Sequence, residues 1–180
     1  MIKENYFVLT GAMGAGKTSI LSKLREENIK CVDEPARIIL KEQRLKNGVG
    51  VPEKNAGLFT SLMLKKMISD YEKYVSSNEN IIFDRGIPDI IAYAGLLSAS
   101  EKEGVIFANK LRYNKFVFWF SGAEEIYVND DERKIDFKSA CSFGESVKRI
   151  YLNFQYTVID VPFASIDERA LFIIEKIKAL

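Results

Sequence analysis

The sequence predicts an α/β fold, a three-layer sandwich in which helices cover both faces of a five-stranded parallel sheet. Short apolar runs alternate with longer segments of helical periodicity, and this order is typical of parallel strands joined by helices. The longer apolar runs are continuous, as expected for strands buried on both faces. A chain of 180 residues without a linker, repeat or low-complexity tract is expected to form one domain, residues 1–180.

Each predicted strand is a short apolar run, and the predicted helices follow the strands. The five strands are expected at residues 6–10, 30–33, 80–83, 116–120 and 156–161. The helices are expected at residues 17–28, 36–46, 54–76, 88–99, 101–113, 139–154 and 165–180. In the longest of these helices, apolar side chains recur every three to five residues, which predicts one buried face.

Two segments interrupt this alternation. Residues 47–52 read NGVGVP, and this combination of Asn, Gly and Pro predicts a turn-rich break between two helices. Residues 121–135 are polar and charged and lie between the last two predicted strands. We regard them as the core of a mobile lid, bounded at residues 121–138.

The charge balance and residue usage exclude several classes of function. The chain carries 26 Lys and Arg against 25 Asp and Glu, without the basic excess of a nucleic-acid-binding protein. Its apolar runs are too short to cross a bilayer, and no signal peptide precedes the first strand, so we expect a cytoplasmic protein with no membrane partner. Cys31 and Cys141 lack metal or redox spacing. With no histidine, chemistry must use carboxylates, Lys, Arg, hydroxyls and a metal ion.

The most specific motif is residues 11–18, GAMGAGKT, which matches G-x-x-x-x-G-K-[ST] between an apolar strand and an amphipathic helix. Its glycines let the backbone wrap a phosphate, and the helix that follows offers its positive end. We therefore predict ATP and Mg²⁺ as cofactors, with Lys17 on the β- and γ-phosphates and Thr18 on the metal. The predicted nucleotide-binding residues are Gly11, Ala12, Met13, Gly14, Ala15, Gly16, Lys17, Thr18 and Ser19.

Two carboxylates are expected beyond the carboxyl ends of strands, where ligands bind in open parallel sheets. Asp84 follows the apolar run at residues 80–83, a pattern that holds Mg²⁺ in phosphate-loop enzymes. Glu34 follows the second strand and is a candidate to accept the proton of an attacking hydroxyl, with Asp33 as its competitor. Either acid alternatively does no more than favour the start of a helix.

Around these residues the sequence resembles the nucleoside and nucleotide kinase-like branch of phosphate-loop proteins. The Glu-Pro pair at residues 34–35 is similar to the pair of deoxyribonucleoside kinases, whose Glu is a catalytic base, and Asp84-Arg85 is similar to the pair after their third strand. Together with Arg37 and Asp89, these pairs look most like small bacterial predicted ATPases similar to nicotinamide riboside kinase domains. The resemblance implies a nucleotide kinase-like sheet in the order 2-3-1-4-5.

The arginines are candidates to bind phosphate, because a guanidinium grips phosphate oxygens with two hydrogen bonds. Arg85 is expected to contact phosphate or substrate, or alternatively to form a structural ion pair. Arg37 lies one helical turn after Glu34 and is a candidate substrate contact, as is Asp89. Arg133 is expected to act from the lid, unless the charged segment is only a solvated loop. Kinases of this branch carry several lid arginines, whereas this lid offers only Arg133 and Lys134.

We expect ATP- and Mg²⁺-dependent phosphoryl transfer to a small hydroxyl-bearing acceptor such as a nucleoside, a nucleotide or a related metabolite. The rivals are a regulatory ATPase or nucleotide-switched binding module, with water as acceptor, and a toxin-like kinase of activated sugars. Tyr93 and Trp119 are expected in the core, and Phe163 is a candidate for stacking on adenine. The expected catalytic residues are Lys17, Glu34, Asp84, Arg85 and Arg133, with Glu34, Arg37, Arg85 and Asp89 on substrate and Thr18 and Asp84 on metal.

Overall fold

The apolar runs of the sequence form a single parallel sheet in the computed structural model, which describes residues 1–127 and 135–180. Its strand order is β2-β3-β1-β4-β5, so the predicted fold class and the order 2-3-1-4-5 are both confirmed. The strands are β1 (Tyr6–Gly11), β2 (Lys30–Val32), β3 (Ile81–Asp84), β4 (Phe116–Phe120) and β5 (Thr157–Asp160). All four neighbouring pairs are parallel, which brings the carboxyl ends of the strands to one edge.

Helices cover both faces of this sheet. They are α1 (Lys17–Glu26), α2 (Pro35–Leu45), α3 (Pro52–Lys73), α4 (Asp89–Leu96), α5 (Lys102–Lys110), α6 (Phe137–Asn153) and α7 (Ile166–Ala179). The central strand β1 supplies both cores, because successive side chains of a strand point to opposite faces. Tyr6 and Val8 pack among α2, α3, α4 and α6, while Phe7 and Leu9 pack against α1 and α7. The sheet, with one core and its helices on each face, therefore forms the three-layer sandwich.

The long helix α3 begins and ends earlier than predicted, at Pro52 and Lys73 in place of residues 54 and 76. Pro52 suits the first turn, where a missing N–H costs nothing. Asn55 then departs from helical geometry, with φ −153° and ψ 87°, and its side chain accepts a hydrogen bond from the Leu58 N–H at 2.9 Å. The predicted single helix is thus a short turn joined through a kink to a longer helix capped by Asn55.

Helices α4 and α5 are shorter than predicted. α4 ends at Leu96, and Ser98 then takes the left-handed conformation, with φ 53°. α5 ends at Lys110, because the next residues extend and Arg112 pairs with the N-terminal segment through a bridge to Ile2. Local periodicity does not report such a distant pairing.

Helix α6 follows the predicted lid and lies directly against the start of the phosphate loop. It begins at Phe137, two residues before the prediction, because the Asp136 carboxylate caps it by accepting from the Ser139 N–H. A Cβ at Gly144 would lie 2.8 Å from the Ala12 backbone nitrogen. The Gly144 carbonyl accepts a hydrogen bond from the Trp119 indole at 3.0 Å, so Trp119 belongs to the core as predicted.

Part of the predicted lid lies within the described residues. Glu124–Ile126 form one turn of 3₁₀ helix, and Asp136 caps α6. The middle of the lid, including Arg133 and Lys134, lies outside the described residues. Among the helices that are described, none is both long and apolar enough to cross a membrane.

Candidate nucleotide and acceptor site

The phosphate loop connects the end of β1 to the start of α1, and its backbone path requires glycine. Gly11, Gly14 and Gly16 have φ values of 123°, 74° and 80°, which side-chain-bearing residues rarely adopt. At Gly11 a Cβ would also lie 2.2 Å from the Phe120 carbonyl oxygen of β4. Sterics at the sheet edge therefore fix the first glycine of the motif, and backbone conformation requires the other two.

The loop leaves a row of backbone N–H groups without protein acceptors. Within the described residues, the N–H groups of residues 13–19 donate to no backbone or side-chain oxygen, whereas the Ala12 N–H is bound to the Phe120 carbonyl at 2.9 Å. α1 starts directly after Gly16 with no side-chain cap. Free donors at a helix start form a cradle for an anion.

The Lys17 side chain lies along this cradle. It is buried, and its ammonium donates to the Ala12 carbonyl at 2.7 Å. Burial, and then the neighbouring Arg85, lower the pKa of Lys17 to about 8. A phosphate in the cradle would offer this ammonium a stronger, charged acceptor.

Asp84 is the last residue of β3, one position farther into the sheet than predicted, and it faces Leu9 of β1. Its side chain is buried, and Oδ1 has no hydrogen-bond partner among the described residues. Burial, and then the charge of Glu34, raise the pKa of Asp84 to about 7. An orphaned buried carboxylate oxygen beside a phosphate cradle fits a Mg²⁺ site. Thr18 also lines the cavity, and its hydroxyl stays the second predicted metal ligand.

Glu34, Arg85 and Tyr93 form a hydrogen-bonded cluster at the ends of β2 and β3. Glu34 precedes α2 but does not cap it; its Oε1 accepts from the Arg85 Nε at 2.8 Å and from the Tyr93 hydroxyl at 2.9 Å. Burial alone would raise the pKa of Glu34, but Arg85 and Lys17 lower it to about 2. Glu34 is therefore ionised throughout the neutral range.

Hydrogen bonds and ring contacts fix the position of the Arg85 side chain. Only 1% of its side chain is exposed, and its φ of 72° places it in the left-handed region. One terminal nitrogen, Nη1, donates to the Gly11 carbonyl at 3.1 Å and to Asp89 Oδ1 at 2.9 Å. The guanidinium also lies over the rings of Tyr93 and Phe143. Arg85 thus forms the structural ion pairs of the second alternative, and because it also lines the cavity, a contact with phosphate or substrate stays a prediction.

Asp89 lies behind Arg85 and does not line the cavity. Its exposed fraction is 0%, and besides Arg85 it accepts hydrogen bonds from the Thr10 hydroxyl, the Tyr151 hydroxyl and the Gly86 N–H at 2.6, 2.7 and 3.0 Å. A substrate contact requires an accessible oxygen, so the geometry does not support the predicted contact. Asp89 instead anchors Arg85.

One cavity of about 650 Å³ joins the phosphate loop to this cluster. Residues 13–19, Glu34, Asp84 and Arg85 line it, whereas Gly11 and Ala12 do not. Arg37 lines it as well, with its Nε 3.6 Å from Glu34 Oε2. Asp33 is exposed, pairs with Arg25 at 2.6 Å and does not line the cavity, which favours Glu34 over its competitor.

Three described residues have a place in the site that the sequence did not predict. Tyr93 is core, as expected, but it also lines the cavity and donates a hydrogen bond to Glu34; its position one helical turn after Asp89 in α4 was the available signal. Tyr151 reaches the site from α6. Arg169 of α7 donates to the Ala15 carbonyl at 3.2 Å and lies 6.0 Å from the ring of Phe163, which is 58% exposed.

The fold and the loop define the class of the molecule, a phosphate-loop protein of the nucleoside and nucleotide kinase-like type. Residues 6–169 match the family model described as an AAA domain, and the chain belongs to that family. It matches no curated protein significantly.

Solved structures share the fold at low sequence identity. Deoxyadenosine kinase from M. mycoides, solved with the product dCMP and a flexible dCDP, aligns with a TM-score of 0.72 at 15% identity over 97% of this chain and 100% of that one. NadR protein in complex with NR gives 0.68 at 17% identity over 97% of this chain and 52% of that one, so the match spans about half of NadR. Shikimate kinase from Aquifex aeolicus gives 0.59 at 17% identity, covering 97% and 96% of the two chains.

Proposed function

We propose that the protein is a small-molecule kinase that binds ATP with Mg²⁺ at the phosphate loop and phosphorylates a hydroxyl group placed beside Glu34. The observation that carries this proposal is a cavity that joins the N–H groups of the phosphate loop to the Glu34 carboxylate. A nucleotide alone would not require an ionised carboxylate held in a fixed orientation farther along the same cavity.

On the nucleotide side, the backbone N–H groups of residues 13–19 and the Lys17 ammonium bind phosphate oxygens. Thr18 and Asp84 would hold the metal together with the phosphates, and the unpaired Oδ1 of Asp84 supports this role. Mg²⁺ neutralises charge that develops on the transferring phosphoryl group. Phe163 remains our candidate for stacking on the base.

On the acceptor side, Glu34 orients the hydroxyl by accepting its hydrogen bond. A carboxylate whose pKa is about 2 is a weak base, and a loose phosphoryl-transfer transition state needs little deprotonation of the nucleophile. Arg37 is the remaining candidate substrate contact. Arg85 and Asp89 hold Glu34 in place, and Arg133 stays a predicted lid residue that lies outside the described chain.

Glu34→Gln tests this assignment, because the amide keeps the shape of the side chain and removes its charge. We expect acceptor-dependent ADP release to fall about tenfold to a hundredfold, because a hydrogen bond to a charged group is worth roughly 1.5–3 kcal/mol, while calorimetry gives an unchanged affinity for Mg·ATP. Asp33→Asn is the matched control, since it removes a neighbouring exposed carboxylate outside the cavity and should leave both values unchanged.

Two results would contradict the proposal. If Glu34→Gln loses Mg·ATP binding, Glu34 belongs to the metal site. If the wild-type protein hydrolyses ATP slowly and no hydroxyl compound from a panel of nucleosides, sugars and vitamins raises the rate, the protein is an ATPase or a nucleotide switch.

A further inference from the structure

The second carboxylate oxygen of Glu34, Oε2, can accept a hydrogen bond from a ligand. Both close hydrogen bonds of the carboxylate, from Arg85 and Tyr93, go to Oε1. Among the described residues, Oε2 has the Arg37 Nε at 3.6 Å, beyond hydrogen-bonding distance, and no closer donor. An alcohol O–H satisfies this oxygen. A phosphate monoester at neutral pH presents mainly acceptor oxygens to it and repels its charge.

Within residues 1–127 and 135–180, the charges around Oε2 leave no surplus cation for an anionic acceptor. Arg85 is shared between Glu34 and Asp89 at 2.8 and 2.9 Å, and Arg37 faces Glu34 as well. Lys17 lies on the phosphate loop, where ATP would occupy it.

Part of the cavity wall is apolar, although Arg44 and Glu53 also line the cavity. Leu40 of α2, Phe59 of α3 and Leu97 after α4 line it, and Leu40 and Phe59 are buried. The next cation along α2 is Arg44, an exposed residue that lies seven positions, roughly 10 Å, beyond Arg37. If an acceptor placed polar groups against these three apolar side chains, those groups would lose their hydrogen bonds to water and gain none from the protein.

We infer that the acceptor is an uncharged alcohol with an apolar, ring-sized body, and that phosphate monoesters are selected against. The inference rests on the proposed function in one respect: the hydroxyl at Oε2 is the group that receives the phosphoryl group. In that step its oxygen bonds the γ-phosphorus while the bond from phosphorus to the β–γ bridging oxygen breaks. The products are ADP, a phosphate monoester and the proton of the hydroxyl.

The test compares matched pairs that differ only by a phosphate. Calorimetry with Mg²⁺ and a non-hydrolysable ATP analogue measures the binding of 2-naphthylmethanol against 2-naphthylmethyl phosphate, and of thymidine against thymidine monophosphate. We expect each alcohol to bind at least about tenfold more tightly than its phosphate, because like charges in a partly buried site are costly. We also expect the naphthyl alcohol to bind more tightly than thymidine. Equal or tighter binding of a phosphate, or tighter binding of thymidine, overturns the inference.

Variants test which residues cause the preference for an alcohol over its phosphate. Glu34→Gln should narrow the ratio between alcohol and phosphate, whereas Asp33→Asn, outside the cavity, should leave it unchanged. Phe59→Ala should weaken binding of the naphthyl alcohol about tenfold or more, and Leu97→Ala, at a half-buried position, repeats this test with less risk to folding. An unchanged ratio in Glu34→Gln, or unchanged affinity in both wall variants, contradicts the inference.

The two proposals fail separately. ADP release with a bound alcohol tests the kinase function, whereas the affinity ratio tests the acceptor class. Preferential alcohol binding without ADP release refutes the kinase and supports the acceptor class. ADP release combined with tighter binding of the phosphates than of the alcohols supports the kinase function and refutes the acceptor class.

Discussion

The two halves of the cavity differ in how completely their polar groups are paired. On the nucleotide side, the N–H groups of residues 13–19 and Asp84 Oδ1 have no protein partner among the described residues. On the acceptor side, Arg85 and Asp89 are fully buried and each has several partners. A site with unpaired groups is completed by its ligand, whereas a fully paired cluster is already organised before binding.

The difference predicts opposite responses to mutation. Substitutions on the acceptor side should cost stability, because they leave buried charges without partners. Substitutions on the nucleotide side should cost affinity, and one of them should increase stability. The four predictions below test this contrast in order of decreasing effect.

The largest effect is expected for Arg85→Met. Removing the guanidinium leaves Glu34 and Asp89 without their cation, and breaking such a buried pair costs about 3–5 kcal/mol. Urea denaturation with a circular-dichroism readout measures the change in free energy of unfolding. The control is Arg25→Met, which breaks the exposed pair with Asp33 and should cost less than about 1 kcal/mol. Equal losses in the two variants would contradict the contrast.

Lys17→Ala should weaken Mg·ATP binding tenfold to a hundredfold, because it removes a charged hydrogen bond worth roughly 1.5–3 kcal/mol. Calorimetry measures the affinity, and the unfolding free energy should change much less than in Arg85→Met. Lys23→Ala, on the outer face of the same helix, should bind ATP as the wild type does. Equal ATP affinity in Lys17→Ala and the wild type would rule out the phosphate loop as the site.

Asp84→Asn should stabilise the ligand-free protein by about 1 kcal/mol at pH 8, since it removes a buried charge whose Oδ1 has no hydrogen-bond partner among the described residues. Because the pKa of Asp84 is raised from 3.8 to about 7, its ionisation opposes folding once the pH exceeds 3.8, and the penalty is complete above 7. The stability gap between variant and wild type should therefore widen from pH 4 to pH 8.

The same variant should lose most of the Mg²⁺ dependence of ATP binding. Denaturation curves across pH and calorimetry with and without Mg²⁺ check both halves of this prediction. A variant less stable than the wild type at pH 8, or one that keeps its Mg²⁺ response, would place Asp84 outside the metal site.

The smallest effect is expected for Tyr151→Phe, which removes one of the four hydrogen bonds to Asp89 and should cost about 1 kcal/mol. Tyr71→Phe removes a comparable buried bond, to the Arg112 carbonyl, at a distance from the site. Both should lose similar stability, but only Tyr151→Phe should lower acceptor-dependent ADP release. Equal turnover in the two variants would show that Tyr151 does not help to position Glu34.

Much of the fold could be predicted from the sequence. The central strands are buried on both faces and so appear as apolar runs, and the phosphate loop has a motif that sterics and backbone conformation impose. The strand order, by contrast, came from the family resemblance, because periodicity carries no information about which strands are neighbours. The kink at Asn55 was missed because helical periodicity continues on both sides of it.

The site was predicted less completely, for a physical reason. The positions of Glu34 and Asp84 follow from where strands end, which is local information. The partners of Arg85, the burial of Asp89 and the contact from Tyr151 depend on three elements meeting behind the sheet edge. Charged residues in sequence look the same whether they bind a ligand or bind each other, so only the fold separates Arg37, which lines the cavity, from Asp89, which does not.

The close approach of Gly144 to Ala12 limits how this protein can be redesigned. Any side chain at position 144 would push α6 away from the phosphate loop and stretch the bond from the Trp119 indole to the Gly144 carbonyl. A transplanted α6 from a relative would therefore have to keep glycine at this point. For protein engineering, α6 and the phosphate loop are best exchanged together, with positions 12 and 144 taken from the same parent.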